Sequence, residues 1–304
     1  MGKTWLFVVP VLAIMMLASA PPSSNWNLRT HGATYGTRGI AQVAFSTIVR
    51  DPNIPVEIKK GLEWNFIRTG AGAPDRWRQS PYYLDSGHTQ TYVEIQGADY
   101  LENVERLQDM GVWDNVSYYL GIAAHYWGDV MCYAHHDNAR LYYEQKYGPD
   151  LGYGIWDNYH HHLELQVKYY RPKDPALIVD DDGDEYTSLS DFIDAAKMRL
   201  DDFIYQTLRD SQNINNGYFG DWIKSRKIEE TNYAVYANGN VDNVHYGSKE
   251  LIDMSTELVY SGWIYALDNS SNNIASYVSA DRITWEQWWS REHRTPGLTF
   301  YHKF

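Results

Sequence analysis

"WDNVSYYLGIAAHYWGDVMCYAHH", residues 113–136, is the most apolar helical stretch of the chain and the one on which its fold turns. It begins as the buried face of a helix. It then places His125, Asp129, His135 and His136 within twelve residues, beside Tyr126 and Trp127. On a helix, successive residues turn by about 100°, so His125 and Asp129 lie about 40° apart and can grip one ion. His135 comes ten residues after His125, turned about 80° from that face on a continuous helix. It therefore serves a neighbouring ion, or the helix bends.

Working outward, further helical periods flank this one. Ile40, Val43, Ala44 and Ile48 have helical spacing within 30–51, entered from a loop. Residues 56–70 read as a second helix ending at Gly70, and 98–111 as an amphipathic helix stopped by Gly111. Residues 155–170, 189–210 and 248–268 complete the helical set, while "PYYLDSGHTQ" (81–90) reads as a loop carrying His88. Strand-like alternation is nearly absent outside "NYAVYANGNV" (232–241), so the class expected is all-α, a single-domain multi-helix bundle. No linker or fixed-period repeat divides the chain. "DDDGDEY" (180–186) fails the spacing of a helix-loop-helix calcium site, whose sixth position is Gly; here that position is Glu185. It reads as an acidic, solvated loop.

Residues 1–20 read as a secretory signal peptide: Lys3, the apolar run "WLFVVPVLAIMML", then Ala18-Ser19-Ala20 as a cleavage site. The expected location of the mature chain is secreted or extracytoplasmic. Its formal net charge is −13 before Lys3 is removed with the signal. That balance repels nucleic-acid backbone and anionic membrane unless bound divalent metals reverse it locally. The single cysteine, Cys132, rules out an intramolecular disulfide. Aromatic residues with polar tips are abundant, with 26 Tyr and 12 Trp, which suits a densely packed helical core.

The His-xxx-carboxylate spacing occurs a second time, in His160 and Glu164. Bundles build metal sites from such pairs on facing helices. Imidazole and carboxylate without thiolate suit zinc, ahead of manganese, iron or copper.

At these residues the chain resembles the zinc-dependent phospholipases C, which are related to the fungal single-strand-specific zinc nucleases. "HYWGDVMCYAH" (125–135) is similar to the H-Y-x-G-D-x-x-x-P-x-H segment of that family. The likeness runs from about Trp26 to Tyr170, and helix 248–268 resembles the family's last helix. It implies a phospholipase C-like helical domain over 21–268 and a C-terminal extension over 269–304. It also implies up to three zinc ions. One is held by Asp75, His88, His125 and Asp129; a second shares Asp129 and takes His31 and the terminal groups of Trp26; a third takes His135, His160 and Glu164. The implied reaction is phosphodiester hydrolysis by a metal-activated water, with Asp75 as ligand or general base.

Departures from the family pattern matter. "PPSSN" precedes Trp26, so a second trimming step is needed to free its amino group. Cys132 and Tyr133 replace the Pro and Gln usual in the motif, and Cys132 is read as a small buried hydrophobe. In the triple histidine, His160 has the four-residue step to Glu164, with His161 and His162 as fallbacks; His136 is read as a supporting or solvent-facing residue. The five-residue step from Trp26 to His31 is similar to the nucleases, whereas Glu164 is similar to the phospholipases.

Phospholipid is the favoured substrate partner, with peripheral membrane contact. A single-strand-specific nuclease or 3'-nucleotidase is the alternative, and a non-catalytic metal-containing lipid-binding protein the third reading. Choline-specific members carry aromatic residues where this chain has Arg76 and Asp85, which argues against a choline headgroup. Trp285, Trp288 and Trp289 of the extension either meet a lipid interface or pack back on the body.

Overall fold

A computed structural model describes residues 39–74, 90–130, 144–145, 148–149, 172–211, 245–268 and 273–288, with side chains undescribed at 90–95, 201–211 and 245–251. The first helix, α1 (Ile40–Arg50), buries Ile40, Val43, Ala44 and Ile48, the one-sided stripe expected of its spacing. It stops at Asp51, whose extended backbone leads into Pro52.

The single helix expected over 56–70 is two: α2 (Val56–Gly61) and α3 (Trp64–Ala71). The break is tertiary in origin. Leu62 and Glu63 are extended, and the Glu63 N–H leaves the helical ladder to donate to Ser117 Oγ at 2.9 Å. At Gly61 a β-carbon would overlap the Trp113 ring.

Helix α4 (Gln90–Asp109) begins eight residues earlier than expected and stops two residues before Gly111, whose φ of 70° is the left-handed conformation that glycine adopts at little cost. Helix α5 (Trp113–Val130) is the centre of the bundle, with every described residue from Leu120 to Val130 buried. Its most extensive contacts are with α3 and α4, and α1, α2 and the last helix also reach it. Trp127 explains much of this. Its indole lies where a β-carbon at Gly97 of α4 or at Gly262 would stand, so two glycines make the slot that receives it.

Two long helices close the bundle, α6 (Leu189–Ser211) and α7 (His245–Leu267), matching the expected periods to within a few residues. Ser188 caps α6 by accepting the Asp191 N–H at 3.1 Å, while Asp191 Oδ2 accepts the Ser188 hydroxyl at 2.8 Å. Trp263 of α7 donates its indole N–H to the Leu120 carbonyl of α5 at 3.1 Å. Among the described residues the only sheet is a parallel pair, β1 (Leu177–Val179) with β2 (Arg282–Thr284), registered Ile178 to Ile283. It was not expected, because three residues are too few to show alternation and β1 is buried throughout. The architecture is an all-α multi-helix bundle with this one short pair attached.

Residues 180–186 form the acidic loop that was expected. Asp180 Oδ1 accepts the N–H groups of Asp182 and Asp184, and Gly183 sits at φ 92°. Arg199 pairs with Asp181, and Arg282 with Glu185 at 3.1 Å.

The hydrophobic core holds side chains from both sides of residue 268. Asp51 accepts the Ser279 N–H at 2.6 Å and its hydroxyl at 2.7 Å. Trp285 donates to Tyr186 Oη at 2.7 Å, and Trp288 to the Met254 carbonyl at 3.3 Å. Both indoles are buried, Trp285 stacking at 5.8 Å on Phe192. A lipid-facing role for these two tryptophans is thereby corrected, and of the two readings they follow the packed-back one; Trp289 lies outside the described residues. Trp285→Ala is expected to lower the unfolding free energy by ~3–5 kcal/mol, read from the urea midpoint. An unchanged midpoint would mean that this segment is not part of the core.

Candidate metal centre

His125 and Asp129 face the same side of α5, one helical turn apart, and both are shut away from solvent. The ring of His125 is held on two sides. Tyr126 stands edge-on to it, with centroids 5.7 Å apart, and His125 Nδ1 lies 2.9 Å from the carbonyl oxygen of Ala71. Ala71 is the last residue of α3, where helical carbonyls have no donor of their own helix. The histidine supplies one.

The remaining geometry follows from the chemistry of these atoms. A carbonyl oxygen only accepts, so Nδ1 carries the hydrogen. Nε2, across the ring, lies 3.3 Å from Asp129 Oδ2. In a neutral ring with the proton on Nδ1, Nε2 presents a lone pair, and so does the carboxylate oxygen. Two lone pairs facing each other in a buried site repel unless a proton or a cation lies between them. A proton held by either group relieves that repulsion, and so does a shared cation.

Charge-assisted N–H···O bonds close to about 2.7–2.9 Å, shorter than the 3.3 Å found here. Two ligands of one tetrahedral zinc, with bonds of about 2.0–2.2 Å, stand about 3.4 Å apart. The separation is close to the edge of a zinc tetrahedron and also lies within the range of an ion pair. The negative end of the α3 dipole, ending at Ala71, adds a favourable potential for a positive charge there.

These are the two expected ligands that the structure describes. Trp26, His31, Asp75, His88, His135, His160 and Glu164, together with His136, His161, His162, Arg76, Asp85 and Cys132, lie outside the described residues. Among the described residues no group of three or more His, Cys, Asp or Glu is placed to hold a metal. The chain is nevertheless described up to Pro74, the residue before Asp75, and from Gln90, two residues past His88.

The sequence did not point to the Ala71 carbonyl, because a backbone acceptor has no side-chain signature. Nor did it point to Gly121, or to Gly70 beyond its reading as a helix end. At Gly70 a β-carbon would overlap the Tyr118 carbonyl oxygen, and at Gly121 the Ile67 carbonyl oxygen. Helices α3 and α5 thus touch backbone to backbone.

A cavity of about 640 Å³ opens elsewhere, between the end of α1, residues 173–176, α7 and residues 279–281. It contains none of the expected ligands. Three of its carboxylates are taken up by the fold: Asp51 by Ser279, Asp174 by Arg50 at 3.0 Å, and Asp253 by Lys173 at 3.4 Å.

Comparison with protein-family models, with curated proteins and with solved structures finds no match to this chain. Among the described residues, no helix is long and apolar enough to cross a membrane.

Asp129→Asn separates the two ways of placing a positive charge at the pair. A shared cation predicts that the substitution destabilises zinc-saturated protein more than chelator-treated protein, read as the difference in thermal midpoint. Equal losses in both would assign the carboxylate to an imidazolium instead.

Proposed function

We propose that this chain is an exported zinc-dependent phosphodiester hydrolase of phospholipase C type, releasing a phosphorylated headgroup from a lipid. The observation that carries the reading is the buried pair on α5. His125 Nε2 and Asp129 Oδ2 stand at the spacing of two ligands on one zinc, with Nδ1 engaged by Ala71. This pair is also the core of the segment that resembles the zinc-dependent phospholipases C.

His125 and Asp129 would hold a zinc through Nε2 and Oδ2. Zinc bound there would supply Lewis acidity toward a phosphoryl oxygen and a water acidic enough to attack phosphorus near neutral pH. The protein's own contribution is orientation and exclusion of water. Burial of both side chains keeps solvent from competing for the ligand atoms, and the Ala71 and Tyr126 contacts stop the ring from turning.

Asp75 is the proposed further ligand and general base. It follows Ala71 by four residues, and so few residues span at most ~14 Å. Asp75 itself lies outside the described residues, and Pro74 before it is the last described residue of that stretch. His88, with Asp75, would complete that zinc; Trp26 and His31 with Asp129 would take a second; His135, His160 and Glu164 would take a third.

The acidic balance of the chain and the Glu164 closing residue favour a phospholipid over a polynucleotide. The short step from Trp26 to His31 is the feature that favours the nuclease alternative. A metal-containing lipid-binding protein without turnover is the third reading. Membrane contact, where it occurs, would not use Trp285 or Trp288, since both are buried.

The test is metal analysis of the purified, exported protein, followed by parallel assays on mixed phospholipid vesicles and on single-stranded DNA. Two or more zinc ions per chain and release of phosphorylated headgroup are expected, with His125→Ala abolishing turnover. Fewer zinc ions would remove the multinuclear centre, turnover of DNA alone would establish the nuclease, and zinc without turnover the binding protein.

A further inference from the structure

The close contact between α3 and α5 has a consequence for which atom of His125 meets the metal. Histidine can ligate through either ring nitrogen, and the hydrogen bond made by one decides the role of the other. Here the acceptor is the Ala71 carbonyl, and it reaches Nδ1 because the two helix backbones approach without side chains between them. Gly70 and Ala71 are adjacent on α3, and Gly121 precedes His125 by one turn on α5. The contact that needs glycine and the bond that orients the ring therefore belong to one stretch of the crossing. A β-carbon at Gly121 would meet the Ile67 carbonyl oxygen and, at 2.8 Å, the Ala71 nitrogen. Since both are backbone atoms, neither can move aside without α3 moving with it.

We propose that Gly70 and Gly121 are positioning residues that select the metal-binding nitrogen of His125: the backbone contact places the Ala71 carbonyl on Nδ1 and so commits Nε2 to the cation shared with Asp129. The inference rests on the reading of the pair as a metal centre. It adds a constraint that ligand spacing does not contain, because His125 and Asp129 at four residues apart are compatible with ligation through either nitrogen. Separating α3 from α5 would release Nδ1 to compete for the cation and leave the ring free to turn. The Ala71 carbonyl would then lose its donor, and the ligand its fixed orientation.

The experiment uses full-length protein with 15N-labelled histidine, loaded with 113Cd in place of zinc, and His125 assigned by its loss in His125→Gln. Long-range proton–nitrogen spectra should show a protonated Nδ1 and a 113Cd coupling to Nε2. Coupling to Nδ1 would overturn the inference while leaving the metal centre standing. No coupling to either nitrogen would overturn the metal-centre reading itself.

Gly121→Ala adds a second readout in competition with a chromophoric chelator. Zinc affinity should fall about 10–100-fold, the usual cost of losing a partner that orients a ligand. Ile178→Val, a core change away from the crossing, should leave affinity unchanged. Equal affinity in wild type and Gly121→Ala would overturn the positioning role. Should Gly121→Ala fail to fold, the cadmium spectra of the wild-type protein still decide the assignment.

Discussion

Burying a carboxylate beside an imidazole whose other nitrogen is already engaged leaves a helix with few ways to stay intact. An ionised carboxylate taken out of water costs several kcal/mol unless a positive charge meets it. Asp129 is buried, with His125 Nε2 3.3 Å away and Nδ1 given to Ala71. Residues around the pair on α5 are buried too. The requirement links the packing of the bundle to its proposed chemistry.

The surrounding elements make that burial possible through backbone proximity and large rings. Gly70 and Gly121 bring α3 against α5; Gly97 and Gly262 open the slot for Trp127. Trp263 ties α7 to the middle of α5 at the Leu120 carbonyl. On the far side of the core, Phe192 gathers Trp127, Tyr186, Tyr265 and Trp285 within 6 Å. Tyr186 and Tyr265 show the cost of placing polar tips there, since burial pushes both phenols above the usual tyrosine range. Each keeps a hydrogen bond: Tyr265 donates to the Ile178 carbonyl at 2.9 Å, and Tyr186 accepts from Trp285. Aromatic area and satisfied tips are what a large chain without disulfides uses to order its interior.

Among the described residues, helical period carried most of the fold. The apolar stripe of α1, the extent of α6 and α7 and the buried character of α5 all follow from spacing that each segment contains by itself. What spacing could not carry was anything set by a distant partner. The break between α2 and α3 depends on Ser117 and Trp113, and the strand pair joins residues far apart in the chain. Trp285 and Trp288 had the composition of an interfacial patch, and only Tyr186, Phe192 and Met254 assign them to the core. The site divides in the same way. His125 and Asp129 were legible because four residues is one helical turn. The Ala71 carbonyl was not, because any residue offers a carbonyl and only the fold decides which one arrives.

A zinc-edge anomalous difference map from a crystal of the zinc-loaded protein would show whether His125 and Asp129 share a metal. A peak is expected about 2.0–2.2 Å from both His125 Nε2 and Asp129 Oδ2, with Nδ1 still on the Ala71 carbonyl. No peak at the pair, with Nε2 and Oδ2 closed to the ~2.7–2.9 Å of a charge-assisted hydrogen bond, would contradict it.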